Sequence, residues 1–517
     1  MQMRKSIALG AAILLLALPA AGCGGKTVSS SSGGATRSSG TASSESTGSG
    51  ETLLTQGSGE SEGGSTSASE SGQNSGSRPQ GGSSGAPQKQ TTASVTTKTS
   101  GSNTPSGAPK KTIRLFSQNI SGYYNDAGVL DVTNAFVKQI SAVENALNVK
   151  IELKQFANPS TIAADSLAAS QAGDVPFDIS MAGISQSKTM AARGIIADLK
   201  SLGTVDTAAS QYNKALSEMF TYHNKTYGVF FGWLQNTYVV YYNRDLLNKY
   251  YKGTDPYTLY TQGKWDWQAF EAIAKACTVQ GKNGNTVCSG VACDMYLNGF
   301  AIASNAGGTV SRDSRGNYTY GMIEQAGIDA TTWVKSLYQN KYWSYENSWR
   351  TNLANFSIGQ VAMLPNFTFI LESLAESCDF DYGIVPFPKG PEAKKHNITL
   401  YDSSIYMIHT NSPDKKLAGS VLQMLSQAGP AQQNDFLSKA KGYGLDANSI
   451  KVLGELNGLV TPEFCIGVPT KVGSTTGGAM LESSITTASK SPATVAASIY
   501  SAMYAQLYDY YKNNFTK

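Results

Sequence analysis

The chain has 517 residues, 10% aromatic and 15% charged, with a formal net charge of +4. So small a charge over this length argues against the concentrated basic face that nucleic-acid binding needs, and no such partner is expected. The three histidines, His223, His396 and His409, stand far apart without Cys or His at metal-ligand spacing, so neither a metal nor any other cofactor is expected.

Arg4 and Lys5 precede an apolar run from Ile7 to Leu18, followed by the small residues Ala20, Ala21 and Gly22. That order of charge, apolar core and cleavage site reads as a secretory signal over residues 1–22. The run is shorter than the ~20 residues a membrane-spanning helix needs. Leu18-Pro19-Ala20-Ala21-Gly22-Cys23 resembles the lipobox of bacterial lipoproteins, with Ala20 where Leu is usual. The resemblance implies that Cys23 becomes the lipidated first residue of the mature chain, held at the extracytoplasmic face of the cell membrane. Between Cys23 and Phe116 there is no Phe, Tyr or Trp, and residues 24–110 are mostly Gly, Ser and Thr without hydrophobic period. Such a composition cannot build a core. Residues 23–110 therefore read as a disordered tether, averaging ~50 Å end to end as a flexible coil.

Thr112 to Phe116 is a β-prone run that delivers a Gly-, Asn- and Asp-containing loop, Ser117 to Gly128. Val132, Phe136, Ile140, Val143 and Leu147 recur at spacings of four and three, the apolar stripe of a helix. Val149, Ile151 and Leu153 alternate as a second strand, Ile162 to Ala172 predicts a helix, and Phe177 to Met181 predicts a third strand. Strands alternating with helices imply a parallel sheet. Val239 to Tyr242 predicts another strand, and Asp266 is placed to cap a helix carrying Phe270 and Ile273. Ala330, Trp333, Val334 and Leu337 mark a further helical face. Ile405, Met407 and His409 alternate in a strand, with His409 read as a packed side chain. Ser412-Pro413 then opens a helix burying Leu417, Val421 and Leu425. The last helix carries Val495, Ile499, Met503 and Leu507.

Residues 111–517 are too many for one typical core, so two lobes, discontinuous in sequence, are expected. Open α/β sheets bind ligands beyond the carboxyl ends of their strands, so the loops after Phe116, Met181 and the strand around Met363 should face a shared cleft. Cys277, Cys288, Cys293, Cys378 and Cys465 are odd in number. A bridge within the first three, a bridge between Cys378 and Cys465, and free buried thiols all stay open.

Four stretches carry a resemblance. Tyr227-Gly228-Val229-Phe230-Phe231-Gly232 leads into Val240-Tyr241-Tyr242-Asn243-Arg244-Asp245-Leu246-Leu247, with Phe230 where Pro is usual. Lys264-Trp265-Asp266-Trp267, then Phe356-Ser357-Ile358-Gly359-Gln360-Val361-Ala362-Met363, then Asp381-Tyr382-Gly383-Ile384-Val385-Pro386-Phe387-Pro388-Lys389-Gly390-Pro391 follow. In this order they resemble the extracellular solute-binding proteins that feed sugar ABC importers, across nearly the whole folded part. The resemblance implies a two-lobed, periplasmic-binding-protein-like α/β fold with a hinge and an interlobe cleft. It also implies a monomer that captures a carbohydrate, an oligosaccharide, and delivers it to a membrane permease without catalysis.

Sugars present apolar C–H faces and many hydroxyls, so their sites combine flat rings with short amides and carboxylates. Tyr123, Tyr124, Asn125 and Asp126 follow the first strand, Gly183 follows the third and would let a ligand approach the backbone, and Trp233 follows the Tyr-Gly stretch as the central ring. Asn298, Phe300, Asn305, Trp343, Asn366, Tyr401 and Asp402 complete the candidate ligand set. Trp265, Trp267, Trp333, Phe356 and Met363 are assigned to packing.

Three rival readings share these features. A secreted glycoside hydrolase needs two carboxylates flanking the bond, for which Asp126 and Asp402 are the nominees. A receptor for a peptide, amino acid, polyol or phosphodiester would use an arginine such as Arg244 or Arg350 against an anion. Adhesion through the tether is the third.

Overall fold

The computed structural model describes residues 111–515 apart from 235, 314–316, 347, 401 and 465–478. The expected signal, Cys23 and tether, together with Tyr401 and Cys465, lie outside the described residues.

The chain begins with β1 (Lys111–Ser117), α1 (Ala135–Leu147), β2 (Val149–Gln155), α2 (Ile162–Gln171), β3 (Ile179–Gly183) and α3 (Ile184–Ala192). α1 starts where Asn134 Oδ1 accepts the N–H groups of Phe136 and Val137, at 2.9 and 3.3 Å. Its buried face is Phe136, Val137, Ile140 and Val143. Val132 was expected on that stripe but lies ahead of the cap and is 68% exposed. β1 pairs in parallel with β2, Ile113 opposite Ile151, and with β3, Leu115 opposite Ile179.

The second lobe is built from β4 (Tyr238–Asn243), α4 (Trp267–Cys277), β5 (Thr286–Cys293), α5 (Tyr296–Ala306), α6 (Gln325–Gln339), β6 (Trp343–Tyr345), α7 (Trp349–Ser357), β7 (Val361–Phe367) and β8 (Tyr382–Pro386). Their order across the sheet is β6-β5-β7-β4-β8, with β4 antiparallel to both neighbours. As expected, Asp266 caps α4 by accepting the Ala269 N–H at 3.0 Å. Trp265 and Trp267 are packing residues: Trp265 Nε1–H donates to Pro386 O at 2.7 Å, and Trp267 stacks on Trp333 at 4.4 Å. β5, which the sequence reading missed, threads the cysteines into the sheet. Cys277, Cys288, Cys293 and Cys378 are free thiols, so of the three open options both bridges, the one within the first three and the one from Cys378 to Cys465, are set aside.

The chain then returns as β9 (Ser404–Ile408), antiparallel on β3 at the edge of the first sheet. The following helix, α8 (Lys415–Leu425), is capped by Asp414, whose carboxylate accepts the Leu417 N–H at 3.0 Å, so it begins two residues beyond the expected proline start. α9 (Gly429–Gly442) carries the chain back to α10 (Ala447–Leu459), which packs on β8, and α11 (Pro492–Phe515) ends the described chain. Ile113, Leu115, Phe136, Ile140, Ile179 and Val421 form the first lobe's core; Tyr241, Trp265, Phe270, Val334 and Met363 lie in the second's. His409 is buried edge-on against Phe177 at 5.2 Å.

Candidate functional site

Strand direction decides where a ligand can sit. β1 and β3 end at Ser117 and Gly183, and Gly183 lies opposite Ser404, the first residue of antiparallel β9. In the second sheet Cys293 lies opposite Tyr345, and Phe367 opposite Tyr238, the first residue of β4. The chain enters the second sheet at Tyr238 by way of Thr237 and re-enters the first at Ser404 by way of Ile398, Leu400 and Asp402. These two segments meet at the Thr237–Leu400 bridge. Both carboxyl-end edges are therefore joined to the same crossing, and the loops beyond them face the space between the lobes.

On the first edge, Gln118 Oε1 accepts the Gly183 N–H at 2.8 Å and its Nε2 donates to Ser404 Oγ at 3.2 Å. Asp402 Oδ1 accepts the Ile184 N–H at 2.7 Å, serving as a cap for α3 supplied from 218 residues away. Burial raises the Asp402 carboxyl above the usual range, against the opposing pull of the Ile184 and Ser403 N–H groups. Gly183 was expected to admit a ligand to the backbone. Instead a Cβ there would meet Asp402 Oδ2 at 2.6 Å, so the space is already filled by protein.

The 123–126 group divides. Tyr123 is half-buried against Phe136 at 5.0 Å, and burial pushes its hydroxyl up to about 12. Tyr124 bridges to Leu130, Asn125 Oδ1 accepts the Ala127 and Val129 N–H groups at 3.1 Å each, and Asp126 is exposed. Trp233 is not a central cleft ring: it is buried and stacked at 4.1 Å on Phe436 of α9, as packing of a crossing segment.

In the second lobe, Trp343 is buried with Nε1–H on Cys293 O at 2.9 Å, because β6 carries it inward. Asn305 is consumed structurally, donating to Ala326 O and accepting the Glu392 N–H, both at 2.8 Å. Asn298 is buried in α5. Phe300 and Asn366 do meet, in the wall of a small cavity at the carboxyl edge that also includes Tyr238, Asp294, Tyr296, Trp349, Asn352 and Phe367.

Asp294, Tyr296, Trp349, Asn352 and the adjoining Phe369 are the residues sequence reasoning missed. Tyr296 is 42% exposed and Phe369 45%, although both are large rings. Tyr296 meets Phe367 edge-on at 5.8 Å, Phe367 stacks on Phe369 at 5.3 Å, and Trp349 meets Phe369 edge-on at 5.6 Å. This is a continuous aromatic wall. The available signal was the β-prone Thr286–Cys293 run, after which Asp294 leads into Tyr296, the first residue of α5, at the strand's carboxyl end.

Two mixed α/β lobes joined by antiparallel crossings, with polar and aromatic strand-end loops facing the joint, define a ligand-clasping receptor. The chain belongs to the bacterial extracellular solute-binding protein family, whose model matches residues 138–447. No curated protein sequence matches it. Among solved structures, the cyclic α-maltosyl-1,6-maltose binding protein of Arthrobacter globiformis is 14% identical over 77% of this chain and 98% of that one, with a TM-score of 0.57. The maltose-binding protein MalE of Listeria monocytogenes, in complex with maltose, is 16% identical over 79% and 99%, with a TM-score of 0.53. UgpB of Mycobacterium tuberculosis, in complex with glycerophosphocholine, is 17% identical over 76% and 98%, with a TM-score of 0.54.

Proposed function

We propose that this solute-binding protein captures a carbohydrate, an oligosaccharide, between its lobes and delivers it unaltered to the permease of an ABC importer. The observation that carries this reading is the wall of part-exposed rings, Tyr296, Trp349 and Phe369, beside the Asp294 and Asn352 acceptors. Flat rings match the C–H faces of a sugar and the acceptors match its hydroxyls. The oligosaccharide ligands of the Arthrobacter and Listeria proteins support the same class. A ligand gripping this wall and the Gln118–Asp402 edge favours the closed state only by its extra affinity for that state.

A hydrolase is the weaker reading. Asp402, one of its two nominees, is committed to the Ile184 N–H. A lipid on Cys23 would hold the receptor, as a monomer, at the extracytoplasmic face, and Cys23→Ser is expected to release it from membranes. Calorimetry and a thermal-shift panel of linear and cyclic oligosaccharides test the function. One-to-one binding with the sugar recovered intact supports it; cleavage, or no binding across the panel, defeats it.

A further inference from the structure

The second-lobe edge carries more negative charge than a neutral sugar calls for. Asp294 lines the cavity beside Tyr296, Trp349 and Asn352. Its carboxylate accepts the Tyr296 N–H at 3.0 Å and a long Cys293 Sγ contact at 3.9 Å, and among the described residues it has no ion-pair partner. Asn352 is 1% exposed; its Nδ2 donates to Glu346 O at 3.2 Å while its Oδ1 has no hydrogen-bond partner. Glu482, from the helix Ala479–Thr486, is a second carboxylate near enough to feel the charge of Asp294, and burial first and then that charge push it up to about 7. Arg350, two residues before Asn352, is exposed and rests over the Trp349 ring at 4.5 Å instead of on Asp294.

Buried anions and unpartnered acceptors are costly until a donor meets them, and a cation meets them best. Aromatic faces attract the same kind of group. A hydroxyl supplies one donor and no charge, whereas an ammonium supplies three donors and a full charge.

We propose that the site selects a carbohydrate bearing a protonated amine, with the ammonium on the Asp294 carboxylate and Asn352 Oδ1 and against the Tyr296 and Trp349 rings. This rests on the carbohydrate reading above. Arg350 stands over the Trp349 ring at 4.5 Å and opposes a second cation there, an effect that solvent and salt weaken because its side chain is exposed.

The test is calorimetry on the mature chain at neutral pH with three probes: a glucosamine trimer, its N-acetylated counterpart and maltotriose. The amine form is expected to bind ~10-fold or more tighter than either neutral trimer, as one charge-assisted contact plus a cation–ring contact predicts. Added salt should narrow that gap. Asp294→Asn should remove the preference by weakening the amine trimer by a much larger factor than the neutral trimers, because the amide oxygen still accepts a hydroxyl but carries no charge. Glu482→Gln, which leaves the cavity wall intact, removes a carboxylate that is only about half ionised at neutral pH and should lower the preference about 2-fold through its field alone. Both variants should melt as folded proteins, and if Asp294→Asn does not, Glu482→Gln decides the matter. A neutral trimer binding as tightly as the amine overturns the proposal and leaves the carbohydrate reading standing. So does an equal loss of all three probes in Asp294→Asn. If no sugar of the wider panel binds either, both readings fall together.

Discussion

Asp402 Oδ1 accepts the Ile184 N–H at 2.7 Å, tying the segment that returns the chain to the first lobe to the helix that leaves the end of β3. The carbonyl of the same residue accepts Asn236 Nδ2 at 3.2 Å from the outgoing segment. One residue thus joins both crossings to the first lobe's ligand edge.

Removing this cap has a definite cost. Asp402→Ala should destabilise the protein by about 1 kcal/mol, and Asp402→Asn by less because an acceptor remains. Gly183→Ala places a Cβ 2.6 Å from Asp402 Oδ2 and 3.0 Å from Gln118 Oε1. That crowding should cost about 1–3 kcal/mol. Because the two residues touch, the double variant should lose less than the sum of the singles in urea denaturation. Strict additivity would show that the contact carries no energy.

Two tryptophans should separate cleanly into binding and packing. Trp349 lines the second-lobe cavity, whereas Trp233 is buried on Phe436. Trp349→Ala is expected to weaken ligand binding by about tenfold or more with little change in melting temperature. Trp233→Ala should instead destabilise by about 3–5 kcal/mol, as loss of a buried large ring does. The opposite pattern in paired calorimetry and denaturation would reverse these assignments.

Stability should fall as pH rises through the window set by Glu482. Burial, and then the charge of Asp294, raise its carboxyl from 4.5 to about 7, and burial raises Asp294 in the same direction. Below 4.5 the group is protonated in both folded and unfolded chains; between 4.5 and about 7 only the folded chain keeps the proton. The folded state therefore holds more protons, and its stability declines across that interval and levels off above it. Urea midpoints at about pH 5 and about pH 8 should differ in this sense, and Glu482→Gln should reduce the difference. An unchanged slope in the variant would point to another group.

Cys277, Cys288 and Cys293 should be silent towards thiol reagents until the protein unfolds. Cys277, Cys288 and Cys293 are buried, and burial pushes the first two thiols up to about 12 and about 11. Little reactive thiolate forms at neutral pH. A chromogenic disulfide reagent on a Cys23→Ser, Cys378→Ser, Cys465→Ser variant should read these three only in denaturant. Rapid native-state labelling of any of them would contradict their burial.

The sequence by itself determined the elements whose signals are local: the 3.6-residue stripe of Phe136, Ile140 and Val143, the alternation of Val149 and Ile151, and the Asp266 cap. It also determined the two-lobed class, because family-like stretches recur in order along the folded part. The site depended on contacts between distant segments. Trp233, Trp343 and Asn305 read as ligand residues by type, yet a crossing segment, a strand and a helix hold them buried, whereas Tyr296 and Phe369 stay open to solvent near strand ends. Burial of a ring is settled by what packs over it, and here the covering elements, α9 over Trp233 and β5 beside Trp343, come from far along the chain. Only the tertiary structure could bring Asp402 to Ile184 or align the carboxyl edges of both sheets on one crossing.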